Sequence, residues 1–271
     1  MHTTLKNKIA LVTGVSSGIG REIAQLLAER GARVFGTVRD PQSASPIPGV
    51  EFVRMDVTDD AGVTAAIQSI VRAAGPIEYA VNNAGYALVG ALEETSLDEA
   101  REQFDTNFFG VLRVTNAVLP GMRERRQGRI VNISSVVGFL PAPYMGIYAA
   151  SKHALAGYTE TLDHEVRGFG VRAVSIEPAF TKSKISHNGK AARAALPEYA
   201  APRKRMDEAI QHGTANGDAP RIVAEAVCRA LTAPSPRLRH PVGKGVALSR
   251  LRRFVPAGLF DRSFRKQFQL D

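Results

Sequence analysis

The chain has 271 residues, 44% of them hydrophobic and 23% charged, with one cysteine, a content that supports a globular core and excludes a disordered, collagen-like or disulfide-stapled chain. Its formal net charge is +9, from 35 Lys and Arg against 26 Asp and Glu; no helix-turn-helix, zinc-finger or RNA-binding signature accompanies the excess, so nucleic acid is not an expected partner. No run approaches the ~18 apolar residues of a membrane span, and the apolar stretch at 9–12 is too short for a signal-peptide core, so a cytoplasmic location is expected.

Residues 8–13 form a short apolar run, predicted as the first strand, and 20–30 carry Ile23, Leu26 and Leu27 at helical spacing before a Gly31 stop. A second strand is predicted at 33–38 and a third at 50–55, after a loop rich in proline and serine, with a helix over 59–74. The fourth strand, 77–81, ends on Asn82-Asn83. Ser96 and Glu99 have the spacing of a capping box and open a long helix running through Asn107 and Phe108 towards Leu119-Pro120. A fifth strand at 129–133, a helix at 148–166 and a sixth strand at 171–176 follow. This alternation predicts an α/β chain, one domain over 1–271, with a doubly wound parallel sheet and helices on both faces, because right-handed crossovers put them there.

The alternation lapses over 181–220, where Pro197, Pro202 and Pro220 interrupt a basic, alanine-rich stretch; a long insertion after a strand is the place for a substrate lid. A helix is predicted to resume over 220–230, with Cys228 on its apolar face as a buried structural thiol. Residues 237–271 form a basic extension with nine Lys and Arg and two Asp. There Phe260, Phe264 and Phe268 recur every four residues, a stripe suited to packing on its own domain or a twin subunit, with contact to a membrane surface as the other reading.

Between the first strand and helix stands Thr13-Gly14-x-x-x-Gly18-Ile19-Gly20, with Ser16 and Ser17 inside the turn. Glycines there let the backbone approach a pyrophosphate and set it at the positive helix N-terminus. The second strand ends Thr37-Val38-Arg39, with no acidic residue to hold a ribose diol; Arg39 offers a charge-assisted bond to a 2′-phosphate, so NADP(H) is expected over NAD(H). Asp56 and Val57 are placed to contact an adenine, and Asn83, Ala84 and Gly85 to leave room for a ribose. Tyr148 and Lys152 stand at i and i+4 on one helix face. A carbonyl that accepts hydride needs a proton, and the reverse reaction needs a base. Free tyrosine, with a pKa of about 10, is a weak base at neutral pH, and a nearby ammonium favours the tyrosinate. Ser135, at a strand end, is positioned to donate a hydrogen bond to the substrate oxygen. The six histidines lack metal-ligand spacing, and no metal is expected.

The glycine turn, Asn82-Asn83-Ala84-Gly85, Asn107, Ser135 thirteen positions before Tyr148, and Tyr148-x-x-x-Lys152 together resemble the short-chain dehydrogenase/reductase superfamily over about residues 8–183, and are similar to its hydroxysteroid and retinol dehydrogenase-like branch. That resemblance implies a Rossmann-like sheet of about seven strands, hydride transfer between a nicotinamide and a secondary alcohol or ketone, and a homodimer or homotetramer. It implies the catalytic set Asn107, Ser135, Tyr148 and Lys152, with Asn107 holding a water that links Lys152 to solvent and Lys152 also reaching the nicotinamide ribose. Pro178-Ala179 stands where the family has Pro-Gly. Thr181 is then expected to present its backbone to the carboxamide, and Ser183 its hydroxyl. Leu88, Val89, Val137, Phe139, Leu140, Tyr144, Met145 and Phe180 are the candidate pocket walls, implying a moderately hydrophobic substrate. Two alternatives stay open: a 3-oxoacyl-[acyl-carrier-protein] reductase, whose acidic carrier Arg123, Arg125, Arg126 and Arg129 would attract, and a non-catalytic NADP(H)-sensing regulator using the basic extension.

Overall fold

Strands rich in Val, Ile and Ala on both faces need cover on both sides, and parallel pairing with helical crossovers supplies it. The computed structural model describes residues 5–182 and 189–267. Its strands are β1 (Ile9–Thr13), β2 (Arg33–Val38), β3 (Val50–Arg54), β4 (Tyr79–Asn82), β5 (Leu88–Val89), β6 (Gly128–Ile133), β7 (Val171–Pro178), β8 (Lys190–Ala191) and β9 (Arg239–Val242). Seven of them form one parallel sheet in the order β3-β2-β1-β4-β6-β7-β9, while β5 and β8 pair separately. The helices are α1 (Gly18–Glu29), α2 (Asp60–Ala74), α3 (Leu97–Phe104), α4 (Gly110–Glu124), α5 (Gly146–Val166), α6 (Ala200–Ala215), α7 (Pro220–Thr232), α8 (Gly245–Phe254) and α9 (Ala257–Gln267).

Two apolar layers enclose the sheet. On one face α1 and α7 bury Ile23, Leu27, Val223, Val227 and Cys228; on the other α2, α4 and α5 bury Ile67, Ile70, Val114, Met122 and Leu162. Burial pushes the Cys228 thiol up to about 11, which suits a structural thiol.

All six predicted strands are present, and β9 supplies the seventh; Arg239-His240-Pro241-Val242 has too little apolar content to announce itself. The long helix expected through Asn107 is three pieces, because a π-helical turn over Asp105–Phe109 separates α3 from α4. Such a turn swings the following residues out of register with the helix before it. The stretch expected to be irregular contains β8 and the sixteen-residue α6.

Helix α5 carries Tyr148 and Lys152, and its buried face repeats at helical spacing through Leu155, Thr159, Leu162 and Val166. Polar ties fix its rotation. Asn82 Nδ2 donates to Asn132 Oδ1 (2.8 Å), and Asn132 Nδ2 donates to Thr159 Oγ1 (2.9 Å), linking β4, β6 and α5. At the far end of α5 the Asp163 carboxylate, fully buried, accepts from Arg172 Nε (2.8 Å), the Ala173 N–H (2.9 Å) and Arg167. Burial alone would raise this carboxyl's pKa, but those donors outweigh it and hold the group below its ordinary range. Replacing Asp163 by Ala strands Arg172, whose side chain is only 14% exposed, and is expected to cost about 3 kcal/mol in urea unfolding. A loss below about 1 kcal/mol, the size of a surface pair, would show that this tie does not hold α5 in place.

Candidate active site

The carboxyl ends of β1, β2, β3, β4, β6 and β7 open into one cleft of about 1420 Å³. Its first wall is the turn after β1. Gly14 has φ +71° and Gly18 φ +61°, left-handed values that favour glycine. A Cβ on Gly14 would stand 2.9 Å from Ala84 Cα, and one on Gly20 would collide with Asn83 Nδ2 and the Gly14 carbonyl. The turn is therefore packed directly against the loop after β4. Thr13, which sequence reasoning did not single out beyond its motif, is the clamp. Its buried hydroxyl accepts from the N–H groups of Asn83 and Ala84 (both 2.9 Å), and Asn83 Nδ2 donates to the carbonyls of Thr13 and Gly14 (both 3.0 Å). Asn83 is thus turned onto the first loop.

Helix α1 begins on the cleft wall with Ser17 as N-cap; Ser17 makes no side-chain capping bond, and the first turn has no acidic residue. Uncapped N–H donors at the positive end of a twelve-residue helix, beside three glycines, fit a dinucleotide's pyrophosphate. Ser17, Gly18, Ile19 and Gly20 line the cleft, whereas Ser16 is exposed outside it. Val38 and Arg39 line the cleft at the end of β2, and Asp40 is turned away, its carboxylate accepting from the Gln42 N–H (3.0 Å). Asp56 and Val57 line it after β3. Burial would raise the Asp56 carboxyl, but the Thr58 N–H and hydroxyl, with Arg39 and Arg113 nearby, bring it below its ordinary value.

Ser135, Tyr148 and Lys152 meet at the floor of the cleft. The Ser135 hydroxyl donates to the Pro178 carbonyl (3.4 Å), accepts from the Val137 N–H (3.3 Å) and stands close enough to the Tyr148 phenol to lower its pKa; neighbouring Ser134 is buried with its hydroxyl unpaired among the described residues. Lys152 Nζ donates to the Ile133 carbonyl (2.8 Å) and lies 5.9 Å from the centre of the Tyr148 ring. Burial pushes the phenol up to about 12, against a smaller lowering by Ser135, and pushes the ammonium down to about 8. Desolvation is the leading cause on both groups, and at neutral pH the pair is phenol plus ammonium.

Asn107 lies in the π-helical turn, fully buried and outside the cleft lining. Its Oδ1 accepts from the Tyr86 N–H (3.1 Å), and its Nδ2 donates to the Tyr86 carbonyl (2.9 Å) and to Ser151 Oγ (3.4 Å). It clamps the loop after β4 to α5. Pro178, Ala179 and Thr181 line the cleft after β7, with Ala179 free of left-handed φ and Thr181 Oγ1 donating to the Ala179 carbonyl (3.1 Å). Ser183 lies outside the described residues.

Of the apolar walls read from sequence, Val89, Val137, Leu140, Met145 and Phe180 line the cleft. Leu88 is buried behind it, Phe139 packs under the Arg239 guanidinium, and Tyr144, at φ +59°, sets its ring edge-on to Tyr199. The walls that sequence reasoning missed come from α6, α8 and α9: Met206, Ile210, Leu248, Leu251, Leu259 and Phe264. The four-residue step from Met206 to Ile210 and the three-residue step from Leu248 to Leu251 were the available signal. Arg125, Arg126 and Arg129 bond backbone carbonyls near the amino end of β6, the opposite end of the sheet from the cleft, where they are badly placed to guide a carrier to it.

Residues 8–194 match the family model described as short chain dehydrogenase. The chain is 36% identical over 241 residues to the 3-ketodihydrosphingosine reductase of Bacteroides thetaiotaomicron, covering 88% of this chain and 89% of that protein. Among solved structures it is similar to a short chain dehydrogenase/reductase from Burkholderia phymatum in complex with NAD (29% identity, TM-score 0.79, 93% of this chain and 94% of the other). It is also similar to a short chain dehydrogenase from Burkholderia cenocepacia in complex with NADP (25% identity, TM-score 0.77, 96% of this chain and 98% of the other).

The buried ammonium gives a direct check. In chain labelled with carbon-13 on lysine Cε, one resonance, absent from Lys152→Arg, is expected to titrate with a midpoint about 8, below the ordinary 10.5. Since the folded chain gives up this proton first, the Lys152 contribution to stability rises with pH between about 8 and 10.5. A midpoint at or above the ordinary value would mean that Lys152 is solvated.

Proposed function

The chain belongs to the short-chain dehydrogenase family, and on that premise we propose that it is an NADP(H)-dependent oxidoreductase interconverting a secondary alcohol and a ketone of a moderately hydrophobic substrate. The observation that carries this reading is the buried convergence of Ser135, Tyr148 and Lys152 on the floor of a cleft whose other end is an uncapped helix N-terminus. When bound, the dinucleotide supplies or accepts the hydride at its nicotinamide ring.

The chain's own residues do the rest. Gly14 and the turn Ser17–Gly20 hold the pyrophosphate, with Asp56 and Val57 at the adenine and Pro178 and Thr181 at the nicotinamide. Ser135 donates a hydrogen bond to the substrate oxygen, and Tyr148 hands that oxygen its phenolic proton as the carbon is reduced. Lys152 opposes the negative charge left on the phenol. Asn107 acts through Tyr86 and Ser151, keeping the loop after β4 and helix α5 in register. With the phenol protonated and the ammonium charged at neutral pH, the resting site is an acid, which suits carbonyl reduction. The apolar walls from α6, α8 and α9 favour a substrate with an aliphatic body, in keeping with the sphingoid ketone in the name of the Bacteroides relative.

NADPH is the cofactor favoured by Arg39 at the end of β2, where the carboxylate that follows it, Asp40, is occupied by its own loop. In steady-state ketone reduction NADPH is expected to outcompete NADH. Arg39→Ala should raise KM for NADPH about tenfold, the worth of one charge-assisted bond, and leave NADH nearly unchanged. Preference for NADH in the unmutated chain would reverse the assignment. Separately, Tyr148→Phe should lower kcat by about a thousandfold, as loss of a general acid does, with cofactor binding retained by fluorescence titration. Turnover within a few-fold of the unmutated chain would remove Tyr148 as the proton donor.

A further inference from the structure

Helices α8 and α9 do more than close the cleft. Leu251, Phe254 and Leu259 are 49, 77 and 57% exposed, and Phe254 is the most exposed large apolar side chain among the described residues. Leu251 and Leu259 also line the cleft, so the open apolar edge is continuous with its interior and forms a lip at its mouth. In sequence, residues 245–267 carry six basic residues and the single acid Asp261, a net +5 of the chain's +9, and Arg250, Arg252, Arg262, Arg265 and Lys266 are exposed. An apolar edge fringed by Arg and Lys has the chemistry of the boundary of an anionic lipid leaflet. The apolar groups enter the acyl region while the long cationic side chains stay among the headgroups.

We infer that α8 and α9 dock the chain on an anionic membrane surface and admit an amphipathic ketone to the cleft directly from the lipid. A second copy of the chain fits the lip poorly, since a two-fold contact would set the +5 segment against itself. Contact is with the surface, because no helix among the described residues is long and apolar enough to cross a membrane. The identity of the delivered substrate rests on the reductase reading, whereas docking does not.

The test is flotation of the full chain with vesicles of phosphatidylcholine alone or mixed with phosphatidylglycerol, paired with turnover. Binding is expected to the anionic vesicles and not to the neutral ones, and to fall with added salt. Phe254→Ser should weaken the partition about tenfold, the worth of one inserted aromatic side chain. Arg250→Glu with Arg262→Glu should weaken it at least as much, with circular dichroism showing each variant folded. Phe254 does not line the cleft, so Phe254→Ser should leave turnover of a short, water-soluble ketone unchanged while slowing that of a long-chain ketone carried in anionic vesicles. An unmutated chain that stays in the soluble fraction, or variants that float as it does, would overturn the docking. So would equal binding to neutral vesicles, or a dimer that Phe254→Ser converts to monomer. Vesicle binding without reduction of any ketone would leave docking standing and refute the reductase reading instead.

Discussion

Parallel pairing is the constraint from which the site follows. Because the seven strands of the main sheet run one way, Thr13, Val38, Asn82, Ile133 and Pro178 all stand at one edge of it. Strand order reverses between β1 and β4, so the loops leaving them diverge to opposite faces and leave a crevice between. Those two loops are also joined at their root, where the Thr13 hydroxyl takes both the Asn83 and the Ala84 N–H. Glycine is needed at Gly14 and Gly20 because that junction leaves no room for a Cβ. The cradle is thus shaped by contacts inside the protein before any ligand arrives.

The same closeness governs the chemistry. Tyr148 and Lys152 are each 6% exposed, and removal from water acts on both, raising the phenol and lowering the ammonium. Lys152 Nζ stands 5.9 Å from the centre of the Tyr148 ring and directs one of its three N–H donors to the Ile133 carbonyl. That bond ties α5 to the end of β6, the strand that leads into Ser134 and Ser135, so the helix bearing phenol and ammonium is fixed against the segment bearing the hydroxyl.

Much of this was legible in the chain. Six strands, the capping box and the helix bearing Tyr148 and Lys152 follow from period and caps, which are local signals. What was not legible depends on distant partners. β9 is a strand because Ser175 to Pro178 offer it a ladder, not because Arg239-His240-Pro241-Val242 favours one. The π-helical turn owes its use to Tyr86 and Ser151, which receive Asn107 across 21 and 44 residues of sequence. Asn83, read as leaving room for a ribose, lines the cleft and is also a brace, because its amide finds two carbonyls in the first loop.

The substrate side is the part furthest from local signals, and carboxylates explain its assembly. Glu94, fully buried, accepts from the Ala91 N–H (2.9 Å), the Leu196 N–H (2.8 Å) and Arg203. Glu99 caps its own helix through Oε2 and takes the Arg193 N–H through Oε1 (2.8 Å), while Glu102 pairs with Lys190 and Arg193. Burial raises the Glu94 and Glu99 carboxyls, yet their donors prevail and keep both below the ordinary value, so these anchors stay charged at neutral pH. Residues 190–203, of which Lys190 and Ala191 line the cleft, are therefore held in place by charge, whereas α8 and α9 close the cleft by apolar contact. The basic, proline-broken stretch that the sequence offers as a lid is thus anchored by a row of glutamates from α3 and the turn before it, partners far back in the chain that no local signal announces.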